Sequence, residues 1–193
     1  MTFLLDEDKA IRELMQGITV HDQKADGSDT PRPVGVWFGQ PDQELRNQVY
    51  PYITIDMVGI NRDPQREMRG NTHAEYLRPA GIAEGQRWET EIPIPVNIDY
   101  QITTYSRHPR HDRELLAEIL YQKLSFRFAQ LFVGESTVHR LEVINVAKRD
   151  TTEQAKRLFV NAFTVRLATE IAQAVYKTYE SADETNITYN VND

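Results

Sequence analysis

Hydrophobic and polar positions change period several times along the chain, and each change marks an element. Ala10, Ile11, Leu14, Met15 and Ile18 recur at the spacing of one helical face, which predicts a short amphipathic helix over 6–17. Asp6 stands where a cap belongs, Glu7 and Asp8 suit the positive end of the helix dipole, and Gly17 suits the end. From Val20 to Pro33 the chain turns polar and loses its period, which predicts a loop. Val34 to Phe38 is strand-like. Tyr52 to Ile60 is a clearer strand, with Ile53, Ile55 and Met57 alternating against Tyr52, Thr54 and Asp56. Residues 61–93 are polar, mixed in charge and punctuated by proline and glycine. They read as a long loop, of the kind that is functional or mobile.

The alternation returns most cleanly at 94–105. Val96, Ile98, Tyr100 and Ile102 face one way, and Asn97, Asp99, Gln101 and Thr103 the other. A turn rich in Arg, His and Pro (107–111) then opens a second helix, where Asp112 and Glu114 favour the first turn. Its residues Leu116, Ile119, Leu120 and Leu124 form one apolar face. Val138 to Val146 reads as a strand. Lys156 to Ile171 fits a helix or a strand by period, and its β-branched and aromatic content favours a strand at least to Leu167. The order predicts an α+β fold: a largely antiparallel or mixed sheet packed against two helices, with a long inserted loop. A single domain is expected over 1–180, with 61–93 as a loop or arm and 181–193 as a flexible tail.

Composition narrows the chemistry. The 193 residues include no cysteine, which removes disulfides, thiolate nucleophiles and cysteine zinc sites. With 22 basic and 29 acidic residues the formal net charge is −7, which gives no electrostatic reason to hold nucleic acid. No apolar run approaches the ~20 residues that span a bilayer. The first ten residues do not read as a signal peptide, so an intracellular protein without a membrane partner is expected.

The most site-like cluster is His108, His111 and Asp112, whose spacing suits metal ligation. A turn and a helix cap account for every one of these residues, so no metal or cofactor is expected. Ser106 lies near His108 without any nucleophile signature, and no phosphate-binding, dinucleotide-binding or metalloprotease motif is present. Asp56 and Asp99 fall on polar strand faces and are expected at solvent. No catalytic residue is assigned and the chain is not expected to be an enzyme. Trp37, Phe38, Tyr50 and Tyr52 cluster with Pro33, Pro41 and Pro51 as either a contact surface or core. Arg62, Arg66, Arg69, Arg78 and Arg87 lie among acids in 61–93, suited to solvent or to ionic contact with a protein partner. Trp37, Phe38 and these five arginines are the candidate interface residues.

One stretch resembles a known family. Residues 93–107, Pro-Ile-Pro-Val-Asn-Ile-Asp-Tyr-Gln-Ile-Thr-Thr-Tyr-Ser-Arg, lead through a short polar turn into Asp-Arg-Glu-Leu-Leu-Ala-Glu-Ile-Leu. This strand, turn and acidic helix resemble a pattern in phage tail terminator and tail-completion (sheath-stabiliser) proteins. The strand pair 138–146 and 158–167 and the N-terminal helix are similar to that family's closing hairpin and first helix. The resemblance covers about two-thirds of the chain. It implies a structural virion protein, assembled in the host cytoplasm into a ring, hexameric in that family. Such a ring caps the tail tube, meets the head–tail connector or neck, contacts the sheath in contractile tails, and lets DNA pass without gripping it. Three alternatives stand beside it: a head-completion or neck adaptor, a small metal-dependent enzyme using the His108–His111 turn, and a ligand-binding module, which needs a sizeable apolar pocket with convergent polar groups.

Overall fold

The computed structural model describes residues 4–23, 27–39, 49–83, 86–126, 129–133, 137–153, 156–172 and 176–179, so the expected tail at 181–193 lies outside the described residues. The chain divides into two compact units, Met1–Arg62 with Val96–Thr169, and Asp63–Pro95 with Glu170–Asp193.

In the first unit, α1 (Leu5–Met15) buries Ala10, Ile11 and Met15, and Gly17 closes it at φ 79°. The start is closed by Glu7 rather than by Asp6. Its carboxylate accepts the Leu4 N–H at 2.8 Å and the Thr169 hydroxyl at 3.1 Å, so the buried acid holds an orphan helix amide and a side chain from the far end of the unit's sequence. Where the sequence from Val20 to Pro33 reads as a loop, β1 (Thr19–Gln23) and β2 (Asp29–Pro33) form an antiparallel ribbon. The ribbon buries Val20 alone, so its sequence carries no alternation, and Pro31 and Pro33 sit at exposed positions where no ladder bond is needed.

β3 (Gly35–Phe38) runs parallel to β4 (Tyr52–Arg62). In the second unit follow β5 (Asn71–Thr72), a 3-10 turn (Glu75–Leu77) and β6 (Arg87–Glu91). β7 (Ile94–Ser106) leads into α2 (Pro109–Glu118) and a π turn (Ile119–Lys123). Then come β8 (Ala129–Val133), β9 (Thr137–Lys148), β10 (Thr151–Glu153), β11 (Lys156–Ile171) and β12 (Tyr176–Tyr179). The main sheet has the order β3-β4-β7-β11-β9-β8, with β10 paired to β11, and its β4–β7, β9–β11 and β8–β9 pairings are antiparallel. The α+β class with a mixed, mostly antiparallel sheet is as the sequence predicts.

The inward residues of the sheet, among them Ile53, Ile98, Tyr100, Ile102, Leu141, Phe163 and Leu167, pack with α1 and with Leu115, Ile119 and Leu124 into one core. Leu115 and Ile119 are four apart, and Leu124 is five further on. Only a π turn brings all three to one face, and the Leu124 N–H closes it on the Ile119 carbonyl at 2.6 Å. β4 leaves the core after Ile55, so Met57 is exposed, while Tyr52 and Thr54, on its polar-reading face, are buried. Tyr52 stacks on Tyr105 with ring centroids 4.7 Å apart. Two bulges, at Val58 in β4 and Ile144 in β9, leave those residues unpaired and exposed.

The second unit is built on a three-stranded antiparallel sheet, β12-β6-β5. Residues 61–93 therefore hold two strands and a 3-10 turn where the sequence reads as loop. β6 hides this because only Trp88 and Thr90 are buried, and its other residues, Arg87, Glu89 and Glu91, are charged.

The π turn supplies a contrast in stability. Leu124→Ala is expected to lower the free energy of unfolding by ~2–5 kcal/mol. Tyr121→Ala, in the same turn but 89 % exposed, is expected to change it by no more than ~0.5 kcal/mol. Urea unfolding of the two variants, with equal m-values, checks the difference.

Candidate functional site

The polar residues that looked most like a site converge where β7 hands over to α2. Ser106 and His108 are tied through the backbone: the Ser106 hydroxyl donates to the His108 carbonyl at 3.0 Å and accepts the His108 N–H at 3.3 Å. The His108 ring caps α2, its Nδ1 accepting the Arg110 N–H at 3.3 Å, with Pro109 in the first helical turn. Hydroxyl and imidazole thus serve the turn and do not bond each other.

The next residues fan outward to two neighbours. Toward the ribbon, His111 Nε2 lies 2.9 Å from Asp22, and Arg32 Nε donates to the same carboxylate at 2.7 Å. Arg110 forks onto Asp29 at 3.0 and 3.2 Å and reaches Glu114 at 2.8 Å, whose other oxygen accepts the His21 N–H at 2.7 Å. Toward the sheet, Asp112 is 2 % exposed and accepts Asn161 Nδ2 at 2.7 Å and Lys148 Nζ at 2.8 Å. Asn161 also donates to Thr104 at 3.2 Å.

His108 and His111 do come together, with ring centroids 5.0 Å apart. Among the described residues, however, no three His, Asp or Glu side chains are placed to hold a metal ion. The cluster binds the molecule to itself. Asp99 is likewise engaged, paired through both oxygens with Arg166 at 2.8 and 3.1 Å rather than simply at solvent.

The candidate interface residues are dispersed. Trp37 is half-buried, its indole so close over Gly35 that a Cβ there would meet Nε1 at 2.8 Å; Phe38 is exposed at the strand end. Tyr50 lies 5.3 Å from Tyr52 beneath the Arg107 guanidinium, so these aromatics are partly core, and Pro41 lies outside the described residues. Arg62 ends β4. Arg66 pairs with Asp63 at 2.8 Å, Arg78 pairs with Glu75 at 3.0 Å, and Arg69 is exposed. The structure brings Arg78 and Arg87 together in a cavity of about 570 Å3 in the second unit, lined also by His73, Glu75 and Trp88. Tyr179 also lines it, its hydroxyl donating to Glu89 at 3.1 Å. Its charges are nearly balanced, which defines no single ligand.

What sequence reasoning missed is apolar surface. Phe132 is 68 % exposed and faces its register partner Val138, also exposed, on the uncovered side of the sheet. The signal is present in Ala-Gln-Leu-Phe-Val: Leu131 and Val133 point inward, which sends Phe132 out.

No family model matches the sequence, and no curated protein matches it. Among solved structures the chain is similar to the sheath/tube terminator of an extracellular contractile injection system, PVC, in its extended state. The two are 13 % identical with a TM-score of 0.45, and the match covers all of this chain and 64 % of that one.

Two expectations follow from the cluster. Lys148→Met leaves the Asp112 carboxylate buried with Asn161 alone and is expected to cost ~3 kcal/mol. Asp112→Asn removes that charge and is expected to cost only ~1 kcal/mol; chemical denaturation of both checks the order. The second concerns pH. Burial raises the Asp22 carboxyl, but Arg32 and His111 hold it below the usual carboxylate range, and Arg110 with the His21 amide does the same for Glu114 against its burial. A carboxyl lowered by folding contributes stability above its unfolded pKa and loses it as pH falls through the folded one. The unfolding midpoint is therefore expected to hold from neutral pH to about 5 and to drop below about 4, with a smaller drop in Asp22→Asn.

Proposed function

We propose that this chain is a structural subunit of a ring that terminates a phage-like tail, capping the tube and offering surfaces to the head-side connector and, in a contractile tail, to the sheath. The observation that carries this reading is the strand, turn and helix at 94–118. Its residues resemble the terminator pattern, and their polar side chains are engaged within the fold rather than gathered around a substrate. Surface rather than an inward site is then what this region offers, and exposed Phe132, Val138 and Ile144 supply apolar contact area on the main sheet. Trp37, Phe38 and the arginines of 62–87 are proposed as further contact residues. The net charge of −7 suits a wall past which DNA slides.

Deleting the gene from its particle and imaging the tails tests this. Loss of a terminator is expected to give tubes of uneven, extended length that fail to join heads. Tails of normal, uniform length would sink the reading, and normal tails accompanied by heads that leak would instead support a neck adaptor.

A further inference from the structure

We propose that copies of this chain join edge to edge, with β8 of one copy pairing with β3 of the next. The proposal deepens the ring reading and rests on it for closure, while the pairing itself stands on the edges. The main sheet ends at β3 on one side and β8 on the other, and among the described residues no strand pairs with either outer edge. A backbone bond near β3, from the Val34 N–H to the Ile18 carbonyl, lies before the strand begins. Along an open edge, alternate N–H and C=O groups point outward and match another extended strand.

Folded chains normally blunt such edges with charge, proline, bulges or brevity. This chain does so elsewhere. The β1–β2 ribbon carries Asp29, Arg32, Pro31 and Pro33, β12 carries Lys177, and β5 is two residues long. β8 (Ala-Gln-Leu-Phe-Val) has no charge and no proline, and its register with β9 is unbroken over its length. β3 (Gly-Val-Trp-Phe) likewise has no charge or proline and an unbroken register with β4. Each edge carries an exposed phenylalanine, Phe132 and Phe38, which a neighbouring strand would cover.

A second copy is the occupant that these features select. Two chains of net charge −7 repel over most of their surfaces, and the uncharged edges are where they approach at least cost. Two-fold pairing of β8 with β8 would leave β3 bare, whereas head-to-tail pairing covers both edges with one repeated contact. Such a contact is heterologous and closes into a ring when the rotation per step divides a full turn.

The absence of cysteine makes the test clean. Phe38→Cys and Phe132→Cys, singly and together, are treated with a short bis-maleimide, both as isolated protein and in assembled tails. The double variant is expected to give a ladder of linked copies ending at the ring size, and each single variant to remain monomeric. Linked dimers from Phe132→Cys alone would show two-fold pairing and overturn the proposal, as would the lack of a ladder in both preparations. Gln130→Lys, at an exposed position of β8 and added to the cysteine pair, puts a charge on that edge and should abolish the ladder while leaving the unfolding midpoint in place. A ladder together with normal tails after gene deletion would retain the edge contact and reject the terminator role. Defective tails without a ladder would do the reverse.

Discussion

A carboxylate with almost no solvent exposure must be answered by donors, and Asp112 is answered from two strands. It sits in the first turn of α2, and its partners, Lys148 at the end of β9 and Asn161 within β11, are fixed by the sheet. Helix position and strand register are therefore coupled, since a slip of β11 by one residue would turn Asn161 away and leave the charge buried without its amide. Lys148 extends the coupling, lying 3.5 Å from Asp150, which in turn accepts Arg157 Nη2 and the Val160 N–H and so shapes the turn between β9 and β11. On its other side the same helical turn grips the β1–β2 ribbon through Arg110 and His111. One turn of helix thus orients two otherwise separate pieces of structure.

The same cluster shows what a sequence conceals. His108, His111 and Asp112 lie close in sequence and invite a metal, yet His108 caps its own helix, and His111 and Asp112 find their partners at residues 22, 148 and 161, which no local spacing reveals. Elements that bury a full face were legible. The alternation of β7 and the leucines of α2 are visible because many successive side chains meet the core. Elements that bury one or two side chains were not: the ribbon buries Val20, and β6 buries Trp88 and Thr90. The π turn escaped for another reason, because a spacing of four followed by five belongs to no regular period. The candidate interface residues are legible only as composition. An arginine in a polar stretch looks the same whether it pairs locally, as Arg66 and Arg78 do, or stands exposed, as Arg69 does.

The first unit buries an apolar core, as any globule does, and adds two features to it. Around α2, Asp112 and His111 are buried and satisfied, while several large apolar side chains are turned outward at the sheet's ends and bulges. Val58 and Ile144 occupy bulges, where the extra residue escapes the ladder, and Phe132 and Phe38 lie on edge strands. A bulge or an edge is where a sheet stops satisfying its own backbone. Apolar side chains at those places add hydrophobic contact to unused hydrogen-bonding capacity, which together favour another protein strand over water. The interior network matters to that arrangement. A sheet whose register is held by Asp112 and Asn161 presents its open edges in a fixed geometry, and a rigid edge loses less entropy on pairing than a mobile one. The polar cluster at the start of α2 therefore serves the fold, by holding β9 and β11 in register within a sheet whose outer edges, among the described residues, carry no further strand.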